Sequence, residues 1–528
     1  MNCKLTLTLN RIIFFFLSLL FSQSEICFSQ STTVTPKEIP SFNIKIDSIG
    51  AEHAVNSNLL GFSVENLFVE VKNTSDTAFV NPLKKINPVV LRWPGGMLSN
   101  FYHCNDYGYG LKRNEIGAIY LPYAQQLENQ GVFALQLKEN HPYLQDFLKL
   151  TESLKAKVLI TANILTGTPE ELLDQLNYFN DNNVEVVGVE LGDEMYTNAY
   201  RSVFPYPGSY ISKAEPFVQL VKKYFPKIKF GVCAAPNPRL SDLDGTSAGE
   251  FGYFKAWNDA LSKEDFYDAI IIHSYTPIPV ISNQPVDSVF HRAVTEAKKI
   301  FAKSGMMVQS LDYYHEIFPK FKIWITEWNL AIRSNNAYYL NTLFQSLYIS
   351  AYLNFVNHFN SINKNPIELA VFQSLATGGV YNHYGLIDLK SEKEKSSSRI
   401  IKRTSWNAFK NLYPLFSGEY YLHPCSISSS ERIEMFSYTD TVTHQLLLCW
   451  TNFSGKELKI DSLQYNHLEY ETNIATVDYL KGKLSDSFGW TKFSRNSYNT
   501  PPVEKLESLK LSDWVFPPYA MGIIRIKL

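Results

Sequence analysis

The 528-residue chain has little cysteine, six in all, and two of these, Cys3 and Cys27, lie in the first thirty residues. The other four, Cys104, Cys233, Cys425 and Cys449, are widely spaced, with no CxxC pair and no histidine cluster at metal-ligand spacing. No metal site or cofactor is expected. Four separate thiols are the expectation, although a Cys425–Cys449 bridge could form. An excess of positive charge is missing too: 49 Lys and Arg against 51 Asp and Glu leave a formal charge of −2, without the basic footprint of DNA or RNA binding. A glycine-rich nucleotide loop and internal repeats are also absent. The apolar run "IIFFFLSLLF", Ile12–Phe21, is too short to span a bilayer as a mature helix. Preceded by Lys4 and Arg11 and followed by Ser22, Ser24 and Ser29, it reads as a secretory signal cleaved between Phe21 and Thr32. The mature chain is then expected to be secreted or periplasmic, without a membrane span.

What the chain does have is globular composition, 45% hydrophobic and 19% charged, at a length that suits a large barrel with a companion domain. From Leu59 to Leu375, short apolar runs alternate with stretches of helical spacing. The runs are 59–65, 88–96, 157–163, 185–194, 227–235, 267–275, 321–328 and 367–374. Leu144, Phe147, Leu148 and Leu154 share one helical face, and so do Leu340, Leu343, Phe344, Leu347, Tyr348, Ala351 and Phe355. Eight buried strands alternating with helices predict an α/β fold, a (β/α)8 TIM barrel. A doubly wound sheet would call for the missing nucleotide loop.

After the Ser-rich stretch 391–399, a helix from about Lys402 to Leu412 closes the barrel. Alternating strand patterns such as "HQLLLCWTN" and "MGIIRIKL" then predict a C-terminal antiparallel β-sandwich domain. The expected division is 1–30 signal peptide, 31–50 a segment lending the strand "FNIKIDS" to the sandwich, 51–412 barrel and 413–528 sandwich.

Reactive groups of such barrels belong at the C-terminal strand ends. There the sequence places Glu65, Arg92, Asn163, Asp193 with Glu194, His273 with Tyr275, Glu327 and Gln373. Polar groups buried there without partners would be costly, so they are expected to face one another in a shared cleft. Glu194 and Glu327 are the candidate catalytic pair. Glycoside hydrolysis needs one carboxyl protonated, to donate to the leaving oxygen, and another ionised, to attack or stabilise the sugar carbon. Arg92 and Tyr275 suit the task of keeping a carboxylate ionised. The bland alternatives are that Glu65 ion-pairs structurally with Arg92 and that Gln373 caps a strand end. Tyr102, His103 and Tyr196, in loops near the mouth, are further candidates for sugar contact.

"WITEWN" around Glu327, with the acidic pair after Leu191-Gly192, resembles the retaining glycoside hydrolases of the barrel superfamily that carry acids on strands four and seven. "GFSVEN", "RWPGG", "HSY", Gln373 and the final "PPYAMGIIRI" resemble the α-L-arabinofuranosidase type with a C-terminal β-sandwich. The resemblance implies Glu327 as nucleophile and Glu194 as general acid/base. It further implies that Tyr275 hydrogen-bonds the nucleophile, that Glu65, Arg92 and Gln373 position the sugar and its neighbours, and that His273 lies near the acid/base. The expected partner is an oligo- or polysaccharide of plant or algal origin, with no nucleic acid.

Two departures stand out. Asp193 occupies the place where the superfamily has Asn, and Met97 follows the Pro-Gly-Gly turn where Asn is common. An ionised Asp193 can only accept hydrogen bonds, and its charge repels Glu194. The departures bear on the sugar more than on the reaction, leaving open a β-linked hexose, uronic acid or xylose substrate. A barrel that only binds carbohydrate is the remaining alternative.

Overall fold

Fully buried apolar runs need both faces covered, and a closed parallel barrel ringed by helices supplies that cover. The strands are β2 (Gly61–Ser63), β3 (Val90–Trp93), β4 (Lys157–Ala162), β5 (Val186–Leu191), β6 (Phe230–Cys233), β7 (Ala269–Thr276), β8 (Lys322–Leu330) and β9 (Ile367–Phe372). They pair in sequence order, all parallel, and β9 returns to β2 to close the ring. Each lies within one of the eight runs marked in the sequence, apart from β7 and β8, which extend to Thr276 and Leu330.

The structure, a computed structural model, describes residues 38–47, 54–65, 67–70, 76–240, 248–279, 284–302, 304–331, 339–364, 366–377, 384–389, 400–429, 431–440, 442–470, 473–487 and 502–528. The signal sequence expected over 1–30 lies outside them. The chain divides into Met1–Ile39 and Pro40–Leu528, and the second unit holds every element named here. Among the described residues, no helix is long and apolar enough to cross a membrane.

The C-terminal sheets form a sandwich. One sheet has six antiparallel strands, in the order 420–423, 433–440, 445–452, 520–527, 474–481 and 503–510. The second contains Cys425–Ile427, β1 (Ser41–Ile46), Leu458–Tyr465, Leu468–Glu469 and Val515–Phe516. The inner faces share a core that includes Phe42, Ile44, Ile46, Leu448, Trp450, Ile460 and Ile524. β1 lies antiparallel to 425–427 but parallel to 458–465, so this sheet is mixed rather than purely antiparallel. The reason is connectivity: β1 reaches the sheet from the far side of the barrel sequence, and no hairpin imposes its direction.

Two further expectations change, and the expectation of separate thiols stands. The closing helix runs Thr404–Ser417, so the change of architecture falls after residue 417 rather than 412. Leu343–Ile362 is buried almost all round and not only along its apolar stripe, because the six-stranded sheet covers its other side. There Tyr438 donates to Asn354 Oδ1 (2.9 Å) and Thr451 to Ser350 Oγ (2.8 Å), which gives two of the helix's buried polar residues partners in the sheet. Cys425 and Cys449 are both free. Cys449 packs in the core shared with the barrel, while Cys425 sits against the sandwich core, so the two thiols face different layers.

Candidate active site

Arg92, at the end of β3, is fully buried and organises the mouth of the barrel. Its Nε and Nη2 donate to the two oxygens of Glu190 (2.7 and 2.8 Å). Nη2 also donates to Asp193 Oδ1 (2.7 Å), and Nη1 to Glu327 Oε1 (2.6 Å). Burial works against the guanidinium charge, but Glu190, Glu327 and Asp193 outweigh it and hold Arg92 protonated. Glu190 is absent from the sequence-based candidates. The signal was there: an acid inside the apolar strand "VVGVEL" must find a cation, because an unpaired buried carboxylate is prohibitively costly.

Glu327 accepts a second hydrogen bond, from the Tyr275 hydroxyl to Oε2 (2.6 Å). The β7–β8 register sets His273 opposite Glu327, just after an irregularity at Ile272/His273 that re-aims the side chains. His273 Nδ1 lies 2.9 Å from Glu194 Oε1 and 3.6 Å from Glu327 Oε2, with Nε2 3.8 Å from Asp193 Oδ1. Burial alone would raise the Glu327 pKa, yet His273, Arg92 and the Tyr275 hydrogen bond together hold it below the ordinary value. Burial likewise disfavours the imidazolium of His273, but Glu327 and Glu194 overcome it and push His273 up to about 9. At neutral pH this is an ionised Glu327 beside a cationic histidine.

Glu65 and Glu194 both have left-handed backbones, with φ of 45° and 50°. Glutamate has no local side-chain bond to favour that region, so each costs about 1–2 kcal/mol that the surroundings must hold in place. For Glu194 the clamp is Asn100, which bonds the backbone of Asp193 from both sides: its Oδ1 accepts from the N–H, and its Nδ2 donates to the carbonyl (both 2.8 Å). For Glu65, the "RWPGG" turn makes room. A Cβ on Gly96, itself at φ +62°, would stand 2.5 Å from Glu65 Oε1. Gln373 Nε2 donates to that same oxygen. Glu65 therefore pairs with Gln373 rather than with Arg92. Burial first, then Glu327, pushes its pKa up to about 7.

Two cavities meet at Glu194, Tyr275 and Tyr384. A chamber of about 310 Å³ holds Glu65, Asp193, Glu327 and Gln373, with an apolar wall of Met97, Leu98, Leu127 and Val132. A cleft of about 540 Å³ extends past His273 along Tyr196, Asn237, Phe254, Met306 and Tyr314. The Glu194 side chain is 36% exposed at their junction, against 8% for Glu327. Thus all eight candidate residues, Glu65, Arg92, Asp193, Glu194, His273, Tyr275, Glu327 and Gln373, come together. Tyr384, packed against Tyr275 with centroids 5.7 Å apart, was missed. It arrives beside a small sheet of Ala376–Thr377, Ile387–Leu389 and Ile400–Lys402, whose strands are too short to give a periodic signal.

Tyr196 does line the cleft, its hydroxyl 3.5 Å from Glu194 Oε1. Tyr102 and His103 do not. Tyr102 packs edge-on against Trp93 in the core, and His103 sits between Glu115 (2.9 Å) and Glu171 (3.1 Å). Asn163 is likewise absent from the cleft: it bonds the Tyr102 carbonyl and Thr166, bracing a loop. Asp193 turns its carboxyl to Arg92 instead of leaving it against Glu194. Asp193, His273 and Glu327 bring ligand-type atoms within 4.8 Å of one another. Arg92 donates to two of these three and a protonated His273 has no lone pair to offer, so the cation of this cluster is the guanidinium.

No family model matches the chain. A 102-residue stretch is 31% identical to an intracellular exo-α-L-arabinofuranosidase of Bacteroides ovatus, spanning 19% of this chain and 18% of that protein. Over nearly the whole unit, the fold is that of a thermostable GH51 α-L-arabinofuranosidase from Thermotoga petrophila (TM-score 0.64, 18% identity, 92% of this chain and 100% of that one). A family 44 xyloglucanase from Paenibacillus polymyxa shares it at TM-score 0.56 and 11% identity, over 93% of this chain and 100% of that one. At these identities the likeness establishes the barrel-and-sandwich fold, which hosts more than one substrate specificity.

Proposed function

We propose that the protein is a retaining glycoside hydrolase with α-L-arabinofuranosidase-like action, exported by its N-terminal signal to act on plant or algal polysaccharides. The observation that carries this reading is the pairing of Glu327 and Glu194 through His273. The distances from Nδ1 put Glu194 Oε1 and Glu327 Oε2 within about 6.5 Å of each other, below nearly all of the separation that inverting enzymes keep for a water.

The division of labour follows from the environments. Glu327, buried and held ionised, attacks the anomeric carbon from the floor of the chamber, and the bond to the leaving oxygen breaks. Glu194, at the junction of chamber and cleft, gives its proton to that oxygen, so the leaving group departs into the cleft as an alcohol. Glu194, now ionised, takes a proton from water as the water oxygen attacks the glycosyl–Glu327 ester, and Glu327 is released as carboxylate. Glu65 and Gln373 meet the glycone hydroxyls. His273, hydrogen-bonded to Glu194, holds that side chain in place through both steps.

Glu327→Gly should lower turnover of an aryl glycoside at least about a thousandfold, with azide restoring it and giving the inverted glycosyl azide. Glu194→Ala should lose little on an activated aryl glycoside and far more on a poor leaving group. Full activity of the Glu327 variant, or first-formed sugar of inverted configuration from the wild type, overturns the reading. So does tight glycan binding without any hydrolysis.

A second reading keeps the mechanism and changes the glycone to a β-linked hexose, uronic acid or xylose. Met97 and the apolar wall behind it favour this reading, since they stand where the resemblance implies an amide. Product analysis on a panel of aryl glycosides and plant and algal polysaccharides separates the two.

A further inference from the structure

Five carboxyl groups surround the chamber or its floor, Glu65, Glu190, Asp193, Glu194 and Glu327, against two cations, Arg92 and His273. The hydrogen bonds are unequally shared. Glu190 takes two N–H groups of Arg92. Glu327 takes one, the Tyr275 hydroxyl, and the near approach of His273. Asp193 takes a single N–H, through Oδ1. Among the described residues, nothing donates to its Oδ2. Of the three carboxyls that Arg92 holds, Asp193 is thus the one on which a proton costs least, and a proton on Oδ2 leaves Oδ1 free to accept from Arg92 as observed.

The chamber also needs a donor. A sugar hydroxyl oxygen requires N–H or O–H groups, whereas ionised carboxylates only accept. Of the side-chain donors beside them, Tyr275 is turned to Glu327 and one N–H of Gln373 to Glu65.

We propose that Asp193 works as a neutral carboxylic acid, whose Oδ2 hydroxyl donates a hydrogen bond to a glycone hydroxyl in the chamber.

The surroundings hold it in that form. Facing Asp193 are Arg92 from β3, Cys233 from β6, His273 from β7 and Glu327 from β8. On its own strand and turn are Glu190, Glu194, Tyr196 and Tyr200. Burial, then Glu327, raises the Asp193 pKa to about 8 against the opposing pull of Arg92 and His273. The donor is therefore present below about pH 8 and lost above it.

The inference rests on the glycosidase reading, and its test separates the two. The pH dependence of kcat/KM is measured on the nitrophenyl glycoside that the wild type cleaves best, a leaving group that needs no proton from Glu194. The wild type should lose about tenfold between about pH 6 and pH 9. Asp193→Asn, whose amide donates without ionising, should lose markedly less, raising its ratio of the two values by several-fold. A wild-type profile that is flat over this range, or variant and wild-type profiles that superimpose, overturns the inference and leaves the glycosidase reading intact. Should the amide variant fail to fold, Asp193→Ser serves, because its hydroxyl also donates without titrating. A wild type that cleaves no glycoside overturns both.

Discussion

Arg92 and Glu190 form a fully buried, two-pronged ion pair at the centre of the barrel mouth, with N···O distances of 2.7 and 2.8 Å. Glu190 touches neither chamber nor cleft, yet it fixes the plane of the guanidinium whose remaining N–H groups hold Glu327 and Asp193. It is a positioning residue for a site it does not line.

Glu190→Gln should cost about 3–5 kcal/mol of stability, because it strands a buried cation with less compensation. Denaturant unfolding measures this. The same variant should lower kcat more than it raises KM, since Glu327 loses its fixed partner. Unchanged stability would contradict the pairing.

Tyr275→Phe removes a hydrogen bond that helps to keep Glu327 below the ordinary carboxylate range. The Glu327 pKa then rises. Because the ionised form attacks, the acid limb of the kcat/KM profile should move to higher pH, with a loss of about tenfold at its plateau. A profile that only scales down, without moving, would assign Tyr275 a packing role instead.

Gly96→Ala should act on Glu65 through space. The added methyl would meet Glu65 Oε1 at 2.5 Å, on a backbone already at positive φ. Glu65 and Gln373 must part, so KM should rise by about tenfold while kcat falls less. Steady-state kinetics on the aryl glycoside, with circular dichroism as a check on folding, tests this.

Stability should fall as the solution becomes alkaline. Glu65 and Asp193, raised to about 7 and about 8 in the fold, keep protons at pH values where the unfolded chain has released them. Their stabilising contribution is complete below the ordinary carboxylate pKa and is lost as pH rises through 7 and 8. His273, raised to about 9, has the same sign over a higher window. Thermal unfolding between about pH 5 and pH 9 should show Tm declining, with a shallower decline in Asp193→Asn. An equal decline in both proteins would exclude Asp193 as a contributor.

The barrel was legible because its signal is local. Each run of β-branched and apolar residues reports burial on both faces, and eight of them alternating with helical stretches leave few topologies. The site residues were legible for the same reason, since a charged side chain that closes a buried strand must enter the mouth. Asn163, Tyr102 and His103 show where that inference stops. Asn163 closes a predicted strand and the other two lie in a loop beyond one, but the fold carries all three into the wall, where Asn163 and His103 bond neighbouring loops and helices and Tyr102 packs on Trp93.

By itself, then, the sequence determined the eight strands, the change to β-sandwich and the set of ionisable groups at the strand ends, all properties of residue type and period. Tertiary structure alone decided how Arg92 shares its N–H groups, that Glu190 anchors it, that Glu65 meets Gln373, and that Tyr384 closes the junction of the two cavities. It also decided the state of Asp193. A carboxyl's proton affinity is set by burial and by charges that approach from β3, β7 and β8, strands far apart in the chain and brought within hydrogen-bonding reach only when the barrel closes.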